Sequence, residues 1–194
     1  MNVMNILKQD LQNFPGISCT VWCSGCEHHC KGCFNQEAWD FDAGVPFDYE
    51  MLSTILDAVS EEVCDALVLL GGEPLHPNNL HDIHRIIMNV KQTYPDKKIW
   101  VYSGYTFEEL CDRNDYMLNQ CLKNIDVLID GRFVESLKNP NLRFRGSSNQ
   151  RVIDVPKTLD LHTYGKVVWV HTGDEPAEEL PQTFFQKLKS KIWR

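Results

Sequence analysis

Four short apolar runs in this chain each lead straight into a glycine or a cysteine: ISCTVWC (17–23), ALVLLGG (66–72), KIWVYSG (98–104) and DVLIDG (126–131). Between them the apolar residues change period. Met51, Leu52, Ile55, Leu56 and Val59 recur at helical spacing, as do Leu80, Ile83, Ile86, Ile87 and Val90. TFEELCDR and DYMLNQCLKN add a short helical pair, and RVIDV (151–155) reads as a further strand. Strands separated by helical segments predict βαβ units and a parallel sheet, hence an α/β fold. Ligands of such sheets bind beyond the carboxyl ends of the strands. The cysteine loop, GGEP, SGY and DGR should therefore open onto one edge.

Composition narrows the partners. The chain has 194 residues and a net charge of −8. That charge excludes a basic nucleic-acid-binding face and disfavours an anionic membrane surface. No apolar run reaches the length of a membrane span. MNVMNILKQDLQNFPG lacks the basic start, apolar core and cleavage site of a secretory signal. A cytoplasmic chain is expected, with its thiols reduced. Eight cysteines are then metal ligands or buried apolar residues rather than disulfides.

Four of them crowd into TVWCSGCEHHCKGCFN (20–35), at Cys23, Cys26, Cys30 and Cys33. Closely spaced thiolates suit zinc or an iron–sulfur cluster. A structural zinc site closes on four ligands, usually from two separated pairs. Here all four would come from one loop. Cys23 ends a strand and alternates with Val21 and Cys19, which points it into the core. That leaves C-x3-C-x2-C, three ligands that could hold a [4Fe–4S] cube and leave one iron open. A zinc module using all four cysteines is the alternative. Cys64, Cys111 and Cys121 fall in or beside helical patterns and read as buried thiols.

The cysteine loop, followed after the next strand by GGEP, resembles the radical S-adenosylmethionine enzymes. SGCEHHCKGCFN, GGEPLHP, IWVYSGY, LIDGRF and RFRGSSNQR, in that order from about residue 13 to residue 155, resemble the activating proteins of anaerobic (class III) ribonucleoside-triphosphate reductases. The chain departs from that pattern at Phe14 and Ser18, where the family reads GPG followed by arginine, and at Cys23. The resemblance implies a shortened, open partial (β/α) barrel of mostly parallel strands over residues 1–155. Residues 156–194 have no counterpart in that pattern; their composition reads as an appendage to the sheet domain, a docking tail or a core-capping helix, with a strand over 166–170 and a basic amphipathic segment, FFQKLKSKIW.

The resemblance also implies a chemistry. Cys26, Cys30 and Cys33 would bind the cluster, and S-adenosylmethionine would chelate the open iron. Reductive cleavage, with an electron from a flavodoxin-like donor, would give a 5′-deoxyadenosyl radical. That radical would make a glycyl radical on the large catalytic subunit of the reductase. Gly32, Cys33, Phe34, Gly71, Gly72, Glu73 and Ser103 are the expected cofactor contacts. Gly32 lets backbone approach closely. Phe34 offers an apolar face to the adenine or packs in the core. Gly71 and Gly72 free backbone groups for the methionine ammonium, and Glu73 either pairs with that ammonium or shapes the turn before Pro74. Arg143, Arg145 and Arg151 meet a carboxylate or the reductase, or are solvated. His28 and His29 are expected in solvent, and His76, His81 and His84 in a turn and on a helix surface. An enzyme acting on a small molecule, of the deazaguanine-synthase kind, would need further sequence for a substrate pocket.

Overall fold

The computed structural model describes residues 1–160 and 167–170. Seven strands form one open sheet: β1 (Asn2–Asp10), β2 (Ser18–Cys23), β3 (Val45–Pro46), β4 (Ala66–Gly71), β5 (Lys98–Tyr102), β6 (Val127–Asp130) and β7 (Arg151–Asp154). Their order across it is β3-β1-β2-β4-β5-β6-β7. The centre, β2-β4-β5-β6, is parallel, as the alternating pattern predicts. Helices α1 (Tyr49–Ser60), α2 (Pro77–Thr93), α3 (Phe107–Asp112) and α4 (Tyr116–Asn124) make the crossovers, and α5 (Val155–Leu159) follows β7. No helix among the described residues is long and apolar enough to cross a membrane.

Local chemistry sets the helix starts. Asp48, Thr106 and Asp115 cap α1, α3 and α4 by accepting backbone N–H groups, and Thr106 and Glu109 complete a capping box. His76 caps α2 through its ring nitrogen, with Pro77 in the first turn, where a missing N–H costs nothing.

Alternation along the strands divides the side chains between two faces. Cys19 and Val21, Leu67 and Leu69, Ile99 and Val101, Leu128 and Ile153 pack with the buried stripes of the helices in one large core. Val68 and Leu70, Trp100, Val127 and Ile129, and Val152 point the other way. Among the described residues no helix contributes to this second cluster; Phe14, Trp22, Tyr102, Phe144 and Val170 flank it.

The flanks of the sheet differ from the expected parallel pattern. β1, which no sequence motif announced, pairs antiparallel with β2. β7 is antiparallel to β6, because the link between them carries only a short 3-10 turn, Glu135–Leu137, and no crossover helix. Of the strand expected over 166–170, the described part forms one bridge, Trp169 to Ile153. The segment FFQKLKSKIW lies outside the described residues.

Candidate functional site

The carboxyl ends of β2, β4, β5 and β6 meet a cavity of about 430 Å3. Its walls include Cys26, Cys30, Gly32, Cys33 and Phe34 from the cysteine loop, Gly71 and Gly72 after β4, Ser103 and Gly104 after β5, and Gly131 after β6. The convergence expected from the strand–loop pattern is present. Leu70, Tyr102, Ile129 and Phe144 line it, so the cavity lies over the face carrying the second cluster.

Two tight passages hold the loops there. The Gly25 and Cys26 N–H groups donate to the Ala38 and Trp39 carbonyls at 2.8 and 3.0 Å, folding the cysteine loop onto the chain that follows it. Gly71 adopts φ +113°, and a Cβ there would overlap the Cys23 carbonyl. A side chain at Gly71 would push the two central strands apart where the cavity begins.

The thiols separate into two kinds. Cys26, Cys30 and Cys33 line the cavity. Burial pushes the Cys26 thiol up to about 11, with the His28 and His29 N–H groups pulling the other way. Burial also raises Cys30, against the Phe133 N–H and the nearby Arg132 charge. The Cys33 sulfur accepts the Asn35 N–H at 3.4 Å. Cys23 is different: it is 1% exposed, off the cavity wall, and pushed up to about 12 by burial and the Glu73 charge. Cys19, Cys64, Cys111 and Cys121 are buried as expected.

This donor set fits an iron–sulfur cluster. Its three thiols face one cavity, and backbone N–H groups reach each sulfur, the kind of contact that tunes such clusters. Among the described residues, no three His, Cys, Asp or Glu side chains close on one point as a single metal ion requires.

Several side chains sit elsewhere than the sequence suggested. Phe34 is 88% exposed at the rim, meeting Trp22 edge-on at 6.2 Å, and so is not a core residue. Glu73 is fully buried and off the cavity wall. Its Oε1 accepts from Ser103 Oγ at 2.8 Å and Leu75 N–H at 3.0 Å; its Oε2 accepts from Gly104 N–H at 2.6 Å and His28 Nε2 at 2.9 Å. All its lone pairs are engaged by the protein, the turn at Leu75 included.

His28, expected in solvent, has a ring only 7% exposed. His29 is exposed, against Trp39. His76 is buried, between the start of α2 and Glu27 at 3.3 Å. Arg143 stays exposed, but Arg145 is buried in the cavity wall. Arg151 is held between Glu108 and Asp130. Phe14 stacks edge-on against Trp100 at 5.1 Å, which gives the family-divergent loop a packing role. Gln12, Asn13, Lys138 and Asn139 also line the cavity, and no motif had marked them; Gln150, within RFRGSSNQR, joins them.

Residues 13–153 match the family model described as a 4Fe-4S single cluster domain. A protein named anaerobic ribonucleoside-triphosphate reductase-activating protein from Pasteurella multocida (strain Pm70) is 43% identical over 152 residues, 77% of this chain and 95% of that relative. Its namesake from Escherichia coli (strain K12) is 39% identical over 154 residues, 78% and 97% of the two chains. The chain belongs to this family of activating proteins. The family extends to a virus: the activating protein of Enterobacteria phage T4 is 34% identical over 152 residues, 78% of this chain and 93% of its own.

Proposed function

We propose that this activating protein is a radical S-adenosylmethionine enzyme that installs a glycyl radical on an anaerobic ribonucleoside-triphosphate reductase in the cytoplasm. Cys26, Cys30 and Cys33 would hold the [4Fe–4S] cluster, and the loop face of the sheet would be the shortened, open (β/α) barrel of that superfamily. When bound, the cluster supplies the electron that cleaves S-adenosylmethionine to methionine and a 5′-deoxyadenosyl radical, which takes hydrogen from a glycine of the reductase.

The chain's own part is placement and exclusion of water. Gly71 and Gly72 present backbone edges to the methionine end of the cofactor. Gly32 and Phe34 border its path from the rim, and Ser103 steadies Glu73 beneath the wall. Glu73 acts through the atoms it binds rather than by direct contact. A flavodoxin-like protein would deliver the electron. Residues 1–155 are the catalytic unit in this reading and 156–194 an appendage, which starts in α5, where Thr158 and Leu159 are buried.

The observation that carries this reading is the meeting of three thiols, without Cys23, and two strand-end glycines on one cavity. Its test is product analysis after anaerobic reconstitution and reduction with dithionite. Methionine and 5′-deoxyadenosine should form, and adding the family's reductase should yield the doublet of a glycyl radical. Cleavage without the doublet would move the reading to a small-molecule substrate. Absence of cleavage would sink it.

A further inference from the structure

His28 lies between two of the three cavity cysteines, yet its ring is turned away from solvent into a junction of four loops. Its Nε2 is 2.9 Å from Glu73 Oε2, on the loop after β4. Its Nδ1 receives the Arg132 Nε–H at 3.2 Å, from the loop after β6. On the β5 side it meets Tyr105 edge-on at 4.5 Å, and a Cβ added to Gly104 would overlap the ring. Arg132 is held in turn by Glu109 at 3.1 Å. Because Arg132 can only donate, Nδ1 accepts, and the proton of the neutral ring sits on Nε2, aimed at Glu73.

We propose that His28 is the positioning residue that sets the cysteine loop against the strand-end glycines, so that the cluster and the backbone edge at Gly71 and Gly72 reach one cofactor molecule together. The inference rests on the function proposed above. The reason is geometric. Glu73 anchors the turns after β4 and β5 through the Leu75 N–H, Ser103 Oγ and Gly104 N–H, all within those two loops. His28 alone among its four donors comes from the cysteine loop. It turns a rigid pair of turns into a reference for the metal ligands. Cysteine ligation itself asks nothing of His28, so cluster uptake and cofactor affinity should separate.

The experiment uses the anaerobically reconstituted full chain. Iron content and the concentration of S-adenosylmethionine that half-changes the electron paramagnetic resonance line shape of the reduced cluster are measured for the wild type, H28F, H28Q and G104A. Phenylalanine keeps the ring volume without either hydrogen bond. Glutamine can donate to Glu73 and accept from Arg132. Full iron uptake is expected in all four. H28F should weaken the cofactor response about tenfold or more, the cost of losing a hydrogen bond to a buried charge. H28Q should recover most of it, and G104A, which displaces an intact His28, should weaken it as H28F does. H28F titrating like the wild type overturns the proposal. So does loss of iron in H28F and H28Q alike, which would make His28 part of cluster retention. A wild type whose line shape ignores S-adenosylmethionine removes the activase reading itself, and this proposal with it.

Discussion

The two faces of the sheet are built from the same strands, residue by residue in alternation, and they do different work. Leu67 and Leu69 of β4 enter a core packed against the helices, while Val68 and Leu70 face a smaller buried cluster that, among the described residues, loops and aromatic rings flank. On the helix side the packing is apolar and complete. Beyond their carboxyl ends the strands give way to glycines and the cysteine loop, and the gap there becomes the cavity. Stability and chemistry are thus separated by the two-residue period of a strand. A side chain's parity decides which of the two it serves.

Substitution should break that separation unequally. Leu69→Ala, on the fully buried helix side, should cost about 2–5 kcal/mol in urea unfolding. Its reconstituted cluster should keep the wild-type cofactor response. Phe144→Ala, on the cavity side, removes an edge-on contact to Trp100 at 5.1 Å and part of the cavity lining. It should cost about 1–2 kcal/mol and visibly weaken cofactor binding. Equal stability losses, or a cofactor effect from Leu69 alone, would erase the distinction.

A pH-dependent effect lies at the amino end of the sheet, away from the cavity lining. Burial opposes the charge of Asp126, but Lys91 at 2.8 Å, the Ile99 N–H and Lys98 outweigh it and hold the carboxyl below its usual range. The folded form therefore binds this proton less readily than the unfolded chain. Its stabilisation is present above about pH 4, the unfolded carboxylate range, and is lost as pH falls through the lower folded value. Asp126→Asn should cost about 1–2 kcal/mol at neutral pH, with the gap to the wild type closing in acid. Unfolding curves at several pH values would reveal it. A gap independent of pH would mean that the carboxylate charge contributes nothing.

The helix-covered half of the molecule was legible because its signals are local. Apolar periods gave β2, β4, β5 and β6 and the four crossover helices, and the parallel core followed from their order. β1 escaped because NVMNILKQD has mixed burial and no clean alternation. The orientation of β7 depended on what its preceding link does not contain. In the site, cysteine spacing marked the thiols and glycines marked the strand ends. His28 and Glu73 were harder to place, since their partnership spans 45 positions and no local pattern encodes it. Exposure of Phe34, burial of Arg145 and the pairing of Arg151 were likewise decided by loops whose paths no periodicity describes.

The central claim is that three thiols, and not the fourth in the same loop, make this site. Iron content and electron paramagnetic resonance of the reconstituted Cys23→Ala, Cys26→Ala, Cys30→Ala and Cys33→Ala variants, with and without S-adenosylmethionine, test it directly. Cys23→Ala should retain a reduced [4Fe–4S] signal that changes shape on adding the cofactor, while each of the other three loses it. A colourless wild type holding one zinc, released equally by all four substitutions, would contradict the account.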